Sequence, residues 1–141
     1  MGWVDQRYEQ YKEAVSHRDA VKLVADEMYL ELWKAILEIV QSDSLRGMNL
    51  RYNGSPLNHQ VKMGERTVTV KLDQDKCGIT ATVSDGPSVE LKLRFCGDAQ
   101  GGSICIKHRG TNVDYATAAR TIMEPFLFEE ASPYAFLFPD A

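Results

Sequence analysis

The sequence predicts a two-layer α+β fold, with N-terminal helices and a C-terminal helix packed on one face of an antiparallel sheet of about five strands. Two observations carry this. The apolar period is three to four from Trp3 to about Gln41, two from about Asn49 to Arg109, and close to 3.6 again after Gly110. The segments between the alternating runs are short and rich in Gly, Asp and Ser, so consecutive strands must run antiparallel.

In the first zone Val4, Tyr8, Tyr11 and Val15, then Val21, Val24, Met28, Leu32, Ala35 and Ile39, mark a helical apolar stripe. A second row of Leu23, Leu30, Trp33, Leu37 and Val40 widens it, which predicts a helix covered on more than one side. One unbroken helix over this zone would be about 58 Å long, more than the diameter of a domain this size. A break is therefore expected at Ser16-His17-Arg18-Asp19, where Ser16 can cap a new helix and Asp19 can reach back to it. Ser42-Asp43-Ser44 and Gly47 close the zone.

The alternating runs are Thr67–Leu72, Ile79–Val83 and Val89–Phe95, with Leu57–Lys62 before them and Ile104–His108 after. Asp73–Lys76, Ser84–Pro87 and Gly97–Gly102 supply the turns. Thr111 or Asn112 can cap the last helix, whose positions Tyr115, Ala118, Ala119, Ile122, Met123 and Phe126 share one face. Pro125 is expected to end or kink it near Met123 or Glu124. The chain of 141 residues is the length of one domain, divided as 1–45 helical, 46–111 sheet, 112–130 C-terminal helix and 131–141 aromatic tail.

Composition narrows the function classes. Hydrophobic residues at 44% and charged residues at 26% exclude disordered and collagen-like chains. The start shows no targeting segment and no run is long enough to cross a membrane, so a cytoplasmic location is expected. Three cysteines, Cys77, Cys96 and Cys105, without a C-x-x-C pair, give neither a disulfide framework nor a zinc site, and neither metal nor cofactor is expected. Cys105 and His108, three apart on one strand, point to opposite faces. Asp73–Gly78 begins like a calcium loop but has Cys77 and Ser84 where ligands are needed, so a hairpin turn is expected. With no nucleophile-base or paired-carboxylate signature, the balance leans away from an enzyme.

The formal charge of −4 conceals an uneven distribution. Residues 1–45 carry 5 basic and 9 acidic side chains, 46–111 carry 10 and 6, and 112–141 carry 1 and 5. Alternation sends Lys71, Lys92, Arg94, Lys107 and Arg109 to the sheet face away from the helices, an anion or nucleic-acid surface as one alternative. Of the two aromatics in 46–111, Tyr52 and Phe95, Phe95 is in phase with the buried row, so the stacking platform of a nucleic-acid-binding sheet is missing and nucleic acid ranks low. Phe126, Phe128, Tyr134, Phe136 and Phe138 crowd the C-terminus, where that much apolar area must be covered, either by packing on the chain's own core or by docking on a second copy or a partner. The leading expectation is a non-catalytic protein-interaction domain that self-associates as a homodimer or binds a protein partner, working through this tail or a sheet edge. A second alternative is a small-molecule pocket between helices and sheet lined by Trp33, His59, His108 and Tyr115. His59 and His108 fall on the apolar phase of their strands, where a hydrogen-bonded histidine at the core rim is the plainer account.

Overall fold

The computed structural model describes residues 2–86, 88–98 and 101–128. Helix α1 (Trp3–Val40) is followed by a 3₁₀ turn (Asp43–Met48). The strands are β1 (Arg51–Ser55), β2 (Asn58–Met63), β3 (Arg66–Asp73), β4 (Gly78–Val83), β5 (Ser88–Asp98), β6 (Gly101–His108) and β7 (Thr111–Val113), and helix α2 (Tyr115–Leu127) closes the described chain. Among the described residues the sheet thus has seven strands, in the order of the sequence, each antiparallel to the last.

The five expected strands are β2 to β6, and the two extra ones lie at the edges. Strand β1 has no buried residue, so it offers no dry face for alternation to reveal. Strand β7 exists because Arg109 and Gly110, at φ 53° and 82°, form a tight left-handed reversal of the kind that suits two-residue hairpins. Thr111 and Asn112 are therefore strand residues, and the cap of α2 is Asp114, whose side chain accepts from the Thr117 N–H at 2.6 Å. Helix α2 also continues through Pro125 to Leu127. Proline this close to the end disturbs only the last turn, and the Phe128 N–H still reaches the Glu124 carbonyl at 2.9 Å.

Both helices lie on one sheet face. Val61, Val68, Val70, Leu72, Ile79, Ala81, Val83, Leu91, Leu93 and Ile106 alternate inward and join the buried faces of α1 and α2 in one apolar cluster. The outer face carries Thr69, Lys71, Thr80, Thr82, Glu90, Lys92 and Lys107.

Helix α1 is unbroken, contrary to the expected interruption at Ser16. Seven strands about 4.8 Å apart, averaging about seven residues at about 3.3 Å each, give a diagonal just under about 40 Å. The 38 residues of α1 reach about 57 Å. The helix does not break to fit the sheet; it overhangs it by about a dozen residues. The widened second row is likewise only partly covered: Trp33 and Val40 are buried, whereas Leu23 is 82% exposed and Leu30 42%.

One polar node fixes α1 on the sheet. The buried Tyr29 hydroxyl donates to the Val70 carbonyl of β3 at 2.6 Å and accepts from the His59 backbone N–H of β2 at 3.2 Å. Its third contact is His59 Nδ1 at 2.8 Å. The phenol has one proton, which the carbonyl takes, so Nδ1 must carry the hydrogen that completes the set. The His59 ring stacks on Trp33 at 4.3 Å. Gly54, directly opposite His59 in β1, permits this, because a Cβ there would lie 2.6 Å from His59 Cα and 2.5 Å from the Asn58 carbonyl oxygen. Burial pushes Tyr29 up to about 12 and His59 below its ordinary value.

Tyr29→Phe leaves His59 Nδ1 without its partner and removes the polar tie of α1 to the β2–β3 ladder, and should cost about 1–3 kcal/mol in urea unfolding. In the wild type, stability should be full between about pH 6.5 and 10 as far as this node is concerned. It should fall below that window as the unfolded His59 gains a proton that the folded one resists. It should fall above it as the unfolded Tyr29 ionises first. A flat pH profile across both edges would contradict the node.

Candidate functional site

The overhang is the most unusual surface among the described residues. Gly2 to Ala14 are all exposed, and the base of this arm meets the sheet where His17 stacks on Phe95 of β5 at 4.0 Å and 8°. Along the arm Trp3 is 74% exposed, Val4 58%, Tyr8 57% and Tyr11 64%. At 100° per residue Val4, Tyr8, Tyr11 and Val15 form a stripe on the side of α1 that further along buries Tyr29, Ile36 and Val40. The pattern therefore reads as core in the sequence, but the sheet beneath it has ended. The arm's surface is otherwise charged: Lys12 pairs with Glu9 at 2.9 Å and lies over the Tyr8 ring at 5.0 Å.

Two further features frame the arm. A groove of about 410 Å³ at its base is lined by Ala14, His17, Arg18 and Val21 of α1, the β3–β4 turn with Cys77, and Leu93 and Phe95 of β5. A second, apolar groove of about 460 Å³ lies at the far end, between Glu38, Ile39 and Leu45 on one side and Leu127 and Phe128 on the other. Phe128, half exposed, thus marks where the chain leaves the described fold.

The residues singled out from the sequence fare unevenly. Of the terminal aromatics, Phe126 is wholly buried in α2 and belongs to the core, so it is removed from any contact tail; the Arg66 guanidinium sits against its ring and donates to its carbonyl. Tyr134, Phe136 and Phe138 lie outside the described residues. The four pocket candidates do not form one site. Trp33 and His59 stack, but His108 is on β6, four strands from β2, about 19 Å across the sheet. Tyr115 opens α2 beside Glu31, and burial, then that carboxylate, pushes its phenol up.

Of the basic candidates, Lys71, Lys92, Arg94 and Lys107 share the outer face, and Arg109 sits in the β6–β7 turn. Lys92 is directly opposite Lys107, an arrangement of like charges that costs stability. A depression of about 510 Å³ opens beside Lys92 because its other neighbour is Gly78. Arg94 also lines it, with Nη1 held by the carbonyls of Cys77 and Leu93 at 3.3 and 2.8 Å. The Asp73 turn is closed by its own carboxylate, which accepts from the Asp75 and Lys76 N–H groups at 3.0 and 3.1 Å, as an Asx turn does. Cys96 and Cys105 share the outer face, and their mutual hydrogen bond pushes the Cys96 thiol above its ordinary value. No group of three metal-ligating side chains occurs among the described residues, and no described helix is long and apolar enough to cross a membrane.

No family model, curated protein or solved structure matches this chain. The site rests on its own geometry.

Phe126 and Phe128, two residues apart, separate core from surface. Phe126→Ala should cost about 3–5 kcal/mol in denaturant unfolding. Phe128→Ala should stay within about 0.5 kcal/mol of wild type. Equal costs would show that the two rings share one environment.

Proposed function

We propose that this chain is a non-catalytic protein-association domain whose contact element is the helical arm. The observation that supports the reading is the stripe of Val4, Tyr8 and Tyr11 with Trp3 on its flank, each more than half exposed on a helix that has run past its sheet. Three aromatic side chains at about 150–250 Å² each leave on the order of 400 Å² of open apolar surface once Val4 is included. A patch of that order is at the size where a soluble chain is expected to use it or hide it. Among the described residues nothing covers the exposed side chains of this stripe. Aromatic anchors on one side of a helix, with charged residues around them, have the makeup of an association surface in which a few large side chains carry most of the energy.

The arm is thus a docking element and the sheet with α2 is the body that holds it out. The Tyr29 node serves this function indirectly, since it fixes α1 on the body and so sets the direction of the arm.

A photoreactive amino acid placed at position 8 and irradiated in the living cell tests the reading. It should give a discrete covalent adduct, identified by mass spectrometry, that the same group at exposed Glu27 on the opposite side of α1 does not give. The absence of any adduct specific to position 8 would overturn it.

A further inference from the structure

Resting on the arm as the contact element, we infer that its occupant is a second copy of this chain, bound antiparallel, arm against arm. The spacing of Val4, Tyr8, Tyr11 and Val15 is four, three and four, the heptad seam of a two-helix coiled coil. Set antiparallel about the midpoint of this seam, Tyr8 of one copy meets Tyr11 of the other, and Val4 meets Val15.

The charges beside the seam choose the direction. Asp5 and Lys12 occupy the same flank, one heptad apart, and Arg7 the other flank. In an antiparallel pair like flanks face each other, so Asp5 of each copy lies against Lys12 of the other, twice by symmetry. In a parallel pair opposite flanks face each other, and Arg7 would lie against Lys12 twice. The body makes the same choice. The stripe faces the side of α1 on which the sheet lies, so parallel arms would drive two sheets into one space. Antiparallel arms put the bodies at opposite ends, each new arm continuing the layer where the other copy's sheet stops.

The groove at the base of the arm completes the fit. Trp3 falls on the same flank of α1 as Ala14, His17 and Val21, which line that groove. In the antiparallel register Trp3 of one copy comes level with residues 16 and 17 of the other, beside the groove of about 410 Å³ with its apolar floor of Val21, Leu93 and Phe95. Arg18 and the His17–Phe95 stack at its rim suit an indole face. The two stripes together with the two Trp3 side chains at the grooves bury on the order of 800 Å²; a total below about 1,200 Å² belongs to reversible association. The dimer is therefore concentration-dependent.

Sedimentation of the full chain over about 1–500 µM tests this, with a mass that climbs from monomer toward dimer in that range. Lys12→Asp and Asp5→Lys should each weaken the dimer about tenfold, and the two together should restore it to within about threefold of wild type. Trp3→Ala, which favours the helix and alters no charge, should also weaken it about tenfold while leaving the melting of the body unchanged. Helix content by circular dichroism confirms that each variant keeps its arm. A chain that stays monomeric throughout overturns self-pairing. So does a Lys12→Asp variant that binds more tightly, the result of parallel pairing. An adduct from position 8 to a different protein would then leave the arm as a contact element with another occupant, whereas no adduct at all removes the arm reading itself.

Discussion

The mismatch between a helix of about 57 Å and a sheet whose diagonal is near 40 Å governs this structure. Had α1 broken at Ser16, the first segment could have folded back and hidden its stripe. Nothing local enforces a break. Ser16 makes no cap, and the residues around it, Ala14, Val15, His17 and Arg18, continue the helical ladder. The outcome is an amphipathic segment with its apolar side intact and, among the described residues, nothing beneath it. Everything functional proposed for the protein follows from that surplus length.

The body is built to hold this helix rigidly. Inside an otherwise apolar cluster, the Tyr29 hydroxyl joins α1 to β2 and β3 at once, with its donor and both acceptor capacities used. Such a node is costly to leave half-made, so it specifies one register of helix on sheet where apolar packing alone would tolerate sliding. His59 is held in turn by Trp33 above and by the close approach of Gly54 beside it. The other sheet face is left to polar ladders, including the opposed pair Lys92 and Lys107.

Much of the fold was legible in the sequence because it lies where period and burial coincide. Strands β2 to β6, the placement of both helices on one face, and the inward phase of His59 follow from alternation. The edges were not legible. Strand β1 buries nothing, and β7 depends on the left-handed reversal at Arg109-Gly110, for which apolar pattern carries no signal. The functional surface was hidden for a deeper reason. Val4, Tyr8 and Tyr11 have the periodicity of a core helix, and periodicity says which side of a helix is apolar, not what lies against it. The clue available was the length of about 58 Å, which pointed to a break when the alternative was an overhang. At the other end, Phe126 resembled its aromatic neighbours by composition, but its place on the inner face of α2 makes it core.

The central claim is that two arms pair antiparallel and hold two bodies apart, and the shape of the dimer measures it most directly. Small-angle X-ray scattering at concentrations where the mass has doubled should give an elongated particle about 93 Å long, two helices of about 57 Å overlapping by about 21 Å. Its distance distribution should have two maxima, one within a body and one between bodies. A doubled mass with a longest dimension still near 60 Å would place the two bodies side by side and contradict the account.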